Sequence, residues 1–345
     1  MALLVISAND SNCTLPINKR PGLQLVGALR RFGVFSLLDV PSTFYLTGVG
    51  GRLKILGLYL RAALELIRNR NQEIFFYNCP IAYVFLYLVT LFCKRNRPSL
   101  LLADGINCVF MKFSPAFFLK LFRRVITLPY NEVIQSVLIG RNNSIWYPGC
   151  SNLRGGRQRE SRLPNDIVRM LYNSSLLPNN KPEWVLTLSR QYSWMEIIVT
   201  DTESNFRDYL SRMNIAFDES IPENLQFVGV LPFSVYEKLI SAIDGVILSR
   251  DEELFSNKYN FPSKLVEALQ VDVAIVSLYV ISNVPDDLYC LIDSGYDSEV
   301  RIRSHLGQLS QGEYRSKRRE FLDLCDVGRL HRWVSADAGK TCCVV

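Results

Sequence analysis

Asn260-Phe261-Pro262-Ser263-Lys264-Leu265-Val266-Glu267-Ala268-Leu269 lies between two short apolar runs, Gly245-Val246-Ile247-Leu248 and Val273-Ala274-Ile275-Val276. Strand, loop, helix and strand in that order make one βαβ unit. Pro262 suits an early helical position, where its missing N–H costs nothing. The helix that follows opens with free backbone N–H groups and a partial positive charge. Glu267 falls about one turn further in. A loop that clasps phosphate and a carboxylate that holds a sugar hydroxyl together describe a nucleotide-sugar site.

The segments upstream continue the alternation. Ile197-Ile198-Val199-Thr200-Asp201 predicts a strand, and Leu225-Gln226-Phe227-Val228-Gly229-Val230-Leu231 predicts the next with a glycine turn. A helix from Tyr236 to Ala242 then leads into Asp244-Gly245-Val246-Ile247-Leu248-Ser249. As an ordered set over about residues 184–280, these segments resemble the GT-B glycosyltransferases, in particular family 4, with its Phe-Pro-Ser-Lys-x-x-Glu segment. The resemblance implies an α/β fold of two Rossmann-like domains facing a cleft. It implies a nucleotide-sugar donor, UDP- or GDP-linked, held by Gly229, Tyr259, Asn260, Phe261, Pro262, Ser263, Lys264 and Glu267, with Glu267 on the ribose. It also implies retention of anomeric configuration, and activity as a hexosyltransferase in cell-surface polysaccharide assembly. Tyr259 stands where the family often has a first glutamate, and Asp272-Val273-Ala274 where it has Gly-x-Pro. These departures support the alternative of an inactive GT-B-like subunit that binds nucleotide sugar or glycan.

The N-terminal half also alternates. Strands are predicted at 3–6, 34–38, 73–77, 99–103, 125–128 and 144–147, and helices at 23–32, 53–68 and onward from Pro80. Such alternation implies a parallel sheet covered on both faces. The expected organisation is an acceptor-side domain over 1–150, an inter-domain segment over 151–183 with a helix at 166–172, and a donor-side domain over 184–345. Helices near 298–309 and 312–333 close the chain, and the second could cross back to the first domain.

Ligands of open α/β sheets meet polar residues at the carboxyl ends of strands. Arg190, after Leu186-Thr187-Leu188-Ser189, could neutralise a diphosphate with its forked guanidinium. The alternative is a surface arginine. Ser249 and Arg250 follow another strand. In the N-terminal half Asn78 follows Tyr77, and Asp104-Gly105 follows Leu101-Leu102-Ala103. Asp104 could orient an acceptor hydroxyl or act as general base. It could equally form a turn. Gly48-Val49-Gly50-Gly51-Arg52 could hold phosphate or be a plain loop. Glu267 could pair locally, and Tyr259 could stack on the donor sugar or be an ordinary loop aromatic. No Asp-x-Asp motif occurs, so neither metal nor cofactor is expected. The leaving diphosphate would be stabilised by backbone N–H groups and basic side chains.

Charge is unevenly shared. Residues 1–150 carry 17 Lys+Arg against 6 Asp+Glu, and residues 151–345 carry 22 against 27. A basic half favours an anionic surface. Two apolar stretches with basic neighbours, 81–97 and 115–124, offer peripheral contact with an anionic membrane, or are buried helices. The first is shorter than the ~20 apolar residues a span needs. The basic half has no nucleic-acid motif, so nucleic acid is not an expected partner. The partners expected are nucleotide sugar and a glycan or lipid-linked acceptor. Nine scattered cysteines with no metal-type spacing, and no evident signal peptide, predict free thiols in the cytoplasm, with the inner face of the membrane as the peripheral alternative. Cys342-Cys343-Val344-Val345 formally fits a prenylation box but lacks a polybasic lead.

Overall fold

The computed structural model describes residues 2–6, 33–40, 48–94, 97–103, 114–128, 132–139, 141, 143–151, 153, 167–215, 220–250, 262–292 and 298–336. The helix expected at 23–32 and the terminal cysteines lie outside these residues.

The first half builds a six-stranded sheet from β1 (Ala2–Ile6), β2 (Phe35–Asp39), β3 (Ile74–Tyr77), β4 (Ser99–Leu102), β5 (Val125–Thr127) and β6 (Ser144–Trp146). Its order is β2-β1-β3-β4-β5-β6, every pairing parallel. β1, β3 and β4 are buried along their whole length, which is why they read as unbroken apolar runs. Helices α1 (Gly48–Arg68), α2 (Val84–Lys94), α3 (Pro115–Lys120) and α4 (Glu132–Leu138) supply the crossovers among the described residues. Tyr59, Ala62 and Leu66 of α1, Leu86 of α2, and Phe118 and Leu119 of α3 share one apolar cluster with Phe76, Leu100 and Val125 of the sheet. These three helices therefore cover the same sheet face.

The second sheet contains β7 (Val168–Tyr172), β8 (Met195–Val199), β9 (Leu225–Phe227), β10 (Gly245–Leu248), β11 (Ala274–Ser277) and β12 (Cys290–Leu291). Its order, β12-β11-β10-β7-β8-β9, is that of the doubly wound dinucleotide-binding sheet, again all parallel. Helices α5 (Glu183–Gln191), α6 (Glu203–Arg212), α7 (Phe233–Ala242) and α8 (Ser263–Val271) connect its strands. β10 packs closely at Gly245, where a Cβ would stand 2.8 Å from Met170 Sδ and 3.0 Å from the Ala274 carbonyl oxygen.

Two elements differ from expectation. The helix predicted at 166–172 is β7, a central strand of the second sheet, so the segment taken as inter-domain supplies that sheet's first strand. Its buried Val168, Met170, Leu171 and Tyr172 need partners on both sheet faces, and tertiary pairing with β8 and β10 overrides the helix expected over 166–172. The strand predicted at 186–189 is the interior of α5, whose buried positions Val185, Leu186, Leu188 and Ser189 follow a helical period.

The chain ends in α9 (Ser298–Gln308), α10 (Gly312–Leu324) and α11 (Val327–Ser335), so the long final helix expected at 312–333 is two. Cys325 ends the first and Asp326 caps the second, its carboxylate accepting from Gly328 and Arg329 N–H. The end of the chain returns to the first half. Arg124, buried beside Glu73 at 2.7 Å, donates to the carbonyls of Trp333 and Val334 and lies 3.8 Å above the Trp333 ring. Tyr147 donates to the Cys325 carbonyl at 3.1 Å, and Trp146 meets Phe321 edge to face.

Candidate donor and acceptor site

In the second sheet the winding reverses between β7 and β10, the place where doubly wound sheets bind ligands. Asn173 leaves β7 there and Ser249-Arg250 leave β10. α8 rises from the same side, because it joins the carboxyl end of β10 to the start of β11.

Four side chains meet beneath this crevice. Asn173 Nδ2 donates to the Tyr236 hydroxyl at 2.5 Å. That hydroxyl donates to Glu267 Oε2, also at 2.5 Å. Lys264 Nζ, one turn before Glu267 on α8, stands 3.3 Å from the same oxygen and 5.2 Å from the Tyr236 ring centre. All four residues are buried, Glu267 and Asn173 to 1% exposure. Burial first, then the adjacent Glu267 carboxylate, raise the Tyr236 hydroxyl well above its ordinary pKa of 10.0, so it remains a donor. Asn173 Oδ1 is buried with no hydrogen-bond partner among the described residues. An orphaned acceptor inside a polar chain at a switch point is a place for a ligand donor.

The predicted donor residues divide into four groups. Lys264 and Glu267 come together as described. Pro262 caps α8 with φ −73° and ψ 91°, its carbonyl accepting from Leu265 N–H, and among the described residues no side chain caps the helix. Ser263 opens the helix half-buried. Tyr259, Asn260 and Phe261 lie outside the described residues. Gly229 sits two residues beyond β9 at φ 69°, a left-handed conformation that favours glycine, and its N–H donates to the Asp201 carbonyl at 3.0 Å. It therefore ties the carboxyl ends of β8 and β9, two strands away from β7.

Arg190 is the correction at this site. It lies in the last turn of α5, exposed, a few residues before β8 begins. That is the amino edge of the sheet, opposite the crevice, because α5 carries the chain back from the end of β7 to the start of β8. Arg250, two residues past β10, is the arginine at the carboxyl edge.

In the first half, Asn78 and Cys79 follow β3 with φ of 55° and 42°. Two consecutive non-glycine residues in this region store strain, which concentrates at functional positions. The Asn78 side chain accepts from Ala103 N–H at 2.7 Å, and its backbone N–H donates to Leu101. It thereby fixes the carboxyl end of β4 immediately before Asp104, which lies outside the described residues. Burial raises the Cys79 thiol to about 12, so it is no nucleophile at neutral pH. Cys79, Cys93, Cys150, Cys290 and Cys325 are all free thiols.

Asn173 and the role of Tyr236 escaped the sequence reading. The available signal was the apolar triplet Met170-Leu171-Tyr172 ending in Asn173. Read as a strand, it would have put Asn173 at a carboxyl end.

The departure at Asp272 has a local explanation. Asp272 ends α8 in the left-handed region, φ 62° and ψ 47°, a position suited to glycine. Arg318 of α10 pairs with it at 2.9 Å and also donates to the Leu269 carbonyl at 2.6 Å. A second element thus holds the turn that a glycine would form unaided.

No family model matches the sequence, and no curated protein aligns with it. Solved structures do match over nearly the whole chain. One is sucrose-phosphate synthase from Thermosynechococcus elongatus, with TM-score 0.59, 10% identity, and 96% of each chain covered. The lipopolysaccharide outer core galactosyltransferase WaaB in its apo form gives TM-score 0.54 at 10% identity, over 96% of this chain and 98% of that one. Anabaena HepE in complex with UDP and glucose gives 0.52 at 13%, over 97% and 98%. With the two parallel six-stranded sheets, these likenesses establish the GT-B fold.

Proposed function

We propose that the chain is a glycosyltransferase that moves a hexosyl group from a nucleotide sugar to a glycan or lipid-linked glycan. The setting proposed is cell-surface polysaccharide assembly at the cytoplasmic face of a membrane. The observation that carries this reading is the buried chain Asn173–Tyr236–Glu267–Lys264 beside α8 at the switch point of a GT-B sheet. Among the neighbours of the fold, WaaB is a galactosyltransferase by name, another is a sucrose-phosphate synthase, and HepE was solved with UDP and glucose.

In this reading Glu267 accepts from the donor ribose, with Tyr236 fixing its carboxylate. The first N–H groups of α8, with Ser263, Lys264 and Arg250, face the diphosphate, and Tyr259, Asn260, Phe261 and Pro262 shape the donor pocket. Gly229 sets the turn at the end of β9. Asp104, positioned through Asn78, orients the acceptor hydroxyl, whose proton passes to the departing diphosphate oxygen on the same face of the sugar. The bond from acceptor oxygen to anomeric carbon forms, the bond from that carbon to the diphosphate oxygen breaks, and the nucleoside diphosphate leaves. Stabilisation of that leaving group by N–H groups and cations is electrostatic, and transfer is proposed to retain configuration and to need no metal. Arg190 has no part in this arrangement.

A second reading, an inactive nucleotide-sugar-binding subunit, is favoured by one observation. Both Glu267 oxygens already lie within 3.5 Å of Lys264 Nζ, and Tyr236 occupies one of them. Calorimetric titration with UDP and GDP tests the site that both readings share. Release of UDP or GDP from a donor panel mixed with lipid-linked acceptors tests transfer. Binding with release supports the enzyme, binding without release supports the subunit, and no binding removes both.

A further inference from the structure

α1 is unusual in what it leaves uncovered. Its inner face, Tyr59, Ala62, Ala63 and Leu66, is buried against the first sheet. Leu53, Leu56, Leu60, Leu64 and Ile67 are exposed, Leu53 to 65%. At about 100° per residue these five fall within an arc of about 80°. Lys54, Arg61 and Arg68 recur every seven residues and form a narrow basic stripe directly beside that arc. Glu65 is the acid on this flank, 3.5 Å from Arg68.

α2 repeats the pattern. Val84, Phe85, Leu88 and Phe92 are exposed along one arc, Phe92 to 78%, while Leu86 and Thr90 face inward. On α3, Phe117 is 61% exposed beside Lys120. Arg97 donates to the Lys120 carbonyl at 2.9 Å and joins the end of α2 to α3. All three helices cover the same sheet face, so their outer apolar residues share one side of the molecule. Residues 48–97 contain eight Lys+Arg against Glu65 and Glu73, and Glu73 is committed to Arg124.

We propose that this α1–α2 face docks on an anionic phospholipid bilayer, with the leucine and phenylalanine stripes in the acyl boundary and Lys54, Arg61 and Arg68 among the headgroups. Charge complementarity selects this occupant. An apolar stripe alone would suit a protein partner equally, but a basic row continued over four turns beside it matches a flat anionic surface. No described helix is long and apolar enough to cross a membrane. The sequence pointed to 81–97 and 115–124 for this contact. The structure makes α1 its principal element. The inference rests on the transferase reading only for the presence of a lipid-linked acceptor there. The two fail separately, since vesicle binding is read without nucleotide and nucleotide binding without vesicles.

The test is sedimentation of the full chain with phosphatidylcholine vesicles, with and without phosphatidylglycerol, over a salt series. The parent should pellet with the anionic vesicles and release as salt rises. Lys54→Gln/Arg61→Gln/Arg68→Gln should weaken this about a hundredfold, at about 1 kcal/mol for each basic group. Leu56→Asn/Leu60→Asn/Leu64→Asn should weaken it about tenfold or more. Arg212→Gln/Arg319→Gln, exposed in the second half, should bind like the parent. All these positions are exposed, and melting curves should confirm the fold. In a Leu60→Trp variant, the emission of the introduced indole should shift to the blue on the vesicles. Parent and α1 variants that pellet alike, or an indole emission that stays unshifted, would overturn the proposal. So would a parent that ignores anionic vesicles but dimerises in sedimentation velocity through a contact the leucine variant abolishes.

Discussion

Replacing Tyr236 by Phe removes one oxygen and keeps the ring. The buried volume is retained, and so is the ring that Lys264 approaches at 5.2 Å, so no cavity forms and the cost is a hydrogen-bond cost alone. Two bonds of 2.5 Å are lost, one to the Glu267 carboxylate and one from the Asn173 amide. A bond to a charged group contributes about 1.5–3 kcal/mol, and a buried donor left unsatisfied costs about 1–3 kcal/mol more. Asn173 Oδ1 already lacks a partner, so the change would strand the whole side chain. The expected loss of stability is about 3 kcal/mol or more. Urea melts followed by tryptophan fluorescence would measure it as a fall in midpoint with little change in slope. Repeating the change in an Asn173→Leu background should cost at least about 1 kcal/mol less, because neighbours in one network are not additive. A loss under about 0.5 kcal/mol, or strict additivity, would refute the chain of bonds and the crevice argument that rests on it.

Glu267→Ala should weaken nucleotide binding by about 1–3 kcal/mol in a titration. It should also lower stability, since Tyr236 and Lys264 lose their common partner. Arg124→Met should destabilise the chain by about 3–5 kcal/mol in urea, because it leaves Glu73 with no guanidinium and frees α11 from the first half. Burial holds His305 at about pKa 4, below its ordinary 6.5. The unfolded chain then takes up the proton first, so stability is full above about pH 6.5 and falls between 6.5 and 4 by up to about 3 kcal/mol. His305→Leu should flatten that part of a stability–pH curve, and an unchanged slope would show that His305 is protonated when folded. Asp104→Asn should lower turnover in the nucleotide-release assay and leave donor affinity near the parent value, because its proposed contact is with acceptor.

The fold was legible because its strands are buried on both faces. Leu3-Leu4-Val5-Ile6, Ile74-Phe75-Phe76-Tyr77 and Gly245-Val246-Ile247-Leu248 announce themselves as apolar runs whatever lies next to them. The two errors fell where local pattern and tertiary pairing disagree. Val168–Tyr172 carries Arg169 among its apolar residues, which suggests a helix with a polar face. Arg169 is in fact tolerated in the strand because Glu196 of β8 pairs with it at 2.7 Å. That single misreading moved the first strand from 168 to 186. It turned Arg190 into a strand-end residue and hid Asn173, which is one. The site was therefore less legible than the fold for a specific reason. Glu267 belongs to one βαβ unit and could be found from its own neighbours. Its partners Tyr236 and Asn173 arrive from 31 and 94 residues away, Asn173 through the register of β7 against β10.

Asp272 illustrates the opposite limit. As a departure from a family glycine it weakened the functional reading, yet the left-handed turn survives because Arg318, 46 residues later, bonds both its carboxylate and the Leu269 carbonyl. A motif records one way of satisfying a backbone conformation. The conformation, and the bonds that hold it, are what the chemistry at the other end of α8 depends on. The departure at Asp272 therefore does not count against a donor site at Lys264 and Glu267, and the choice between enzyme and binding subunit passes to the acceptor side, where Asn78 holds the backbone leading into Asp104.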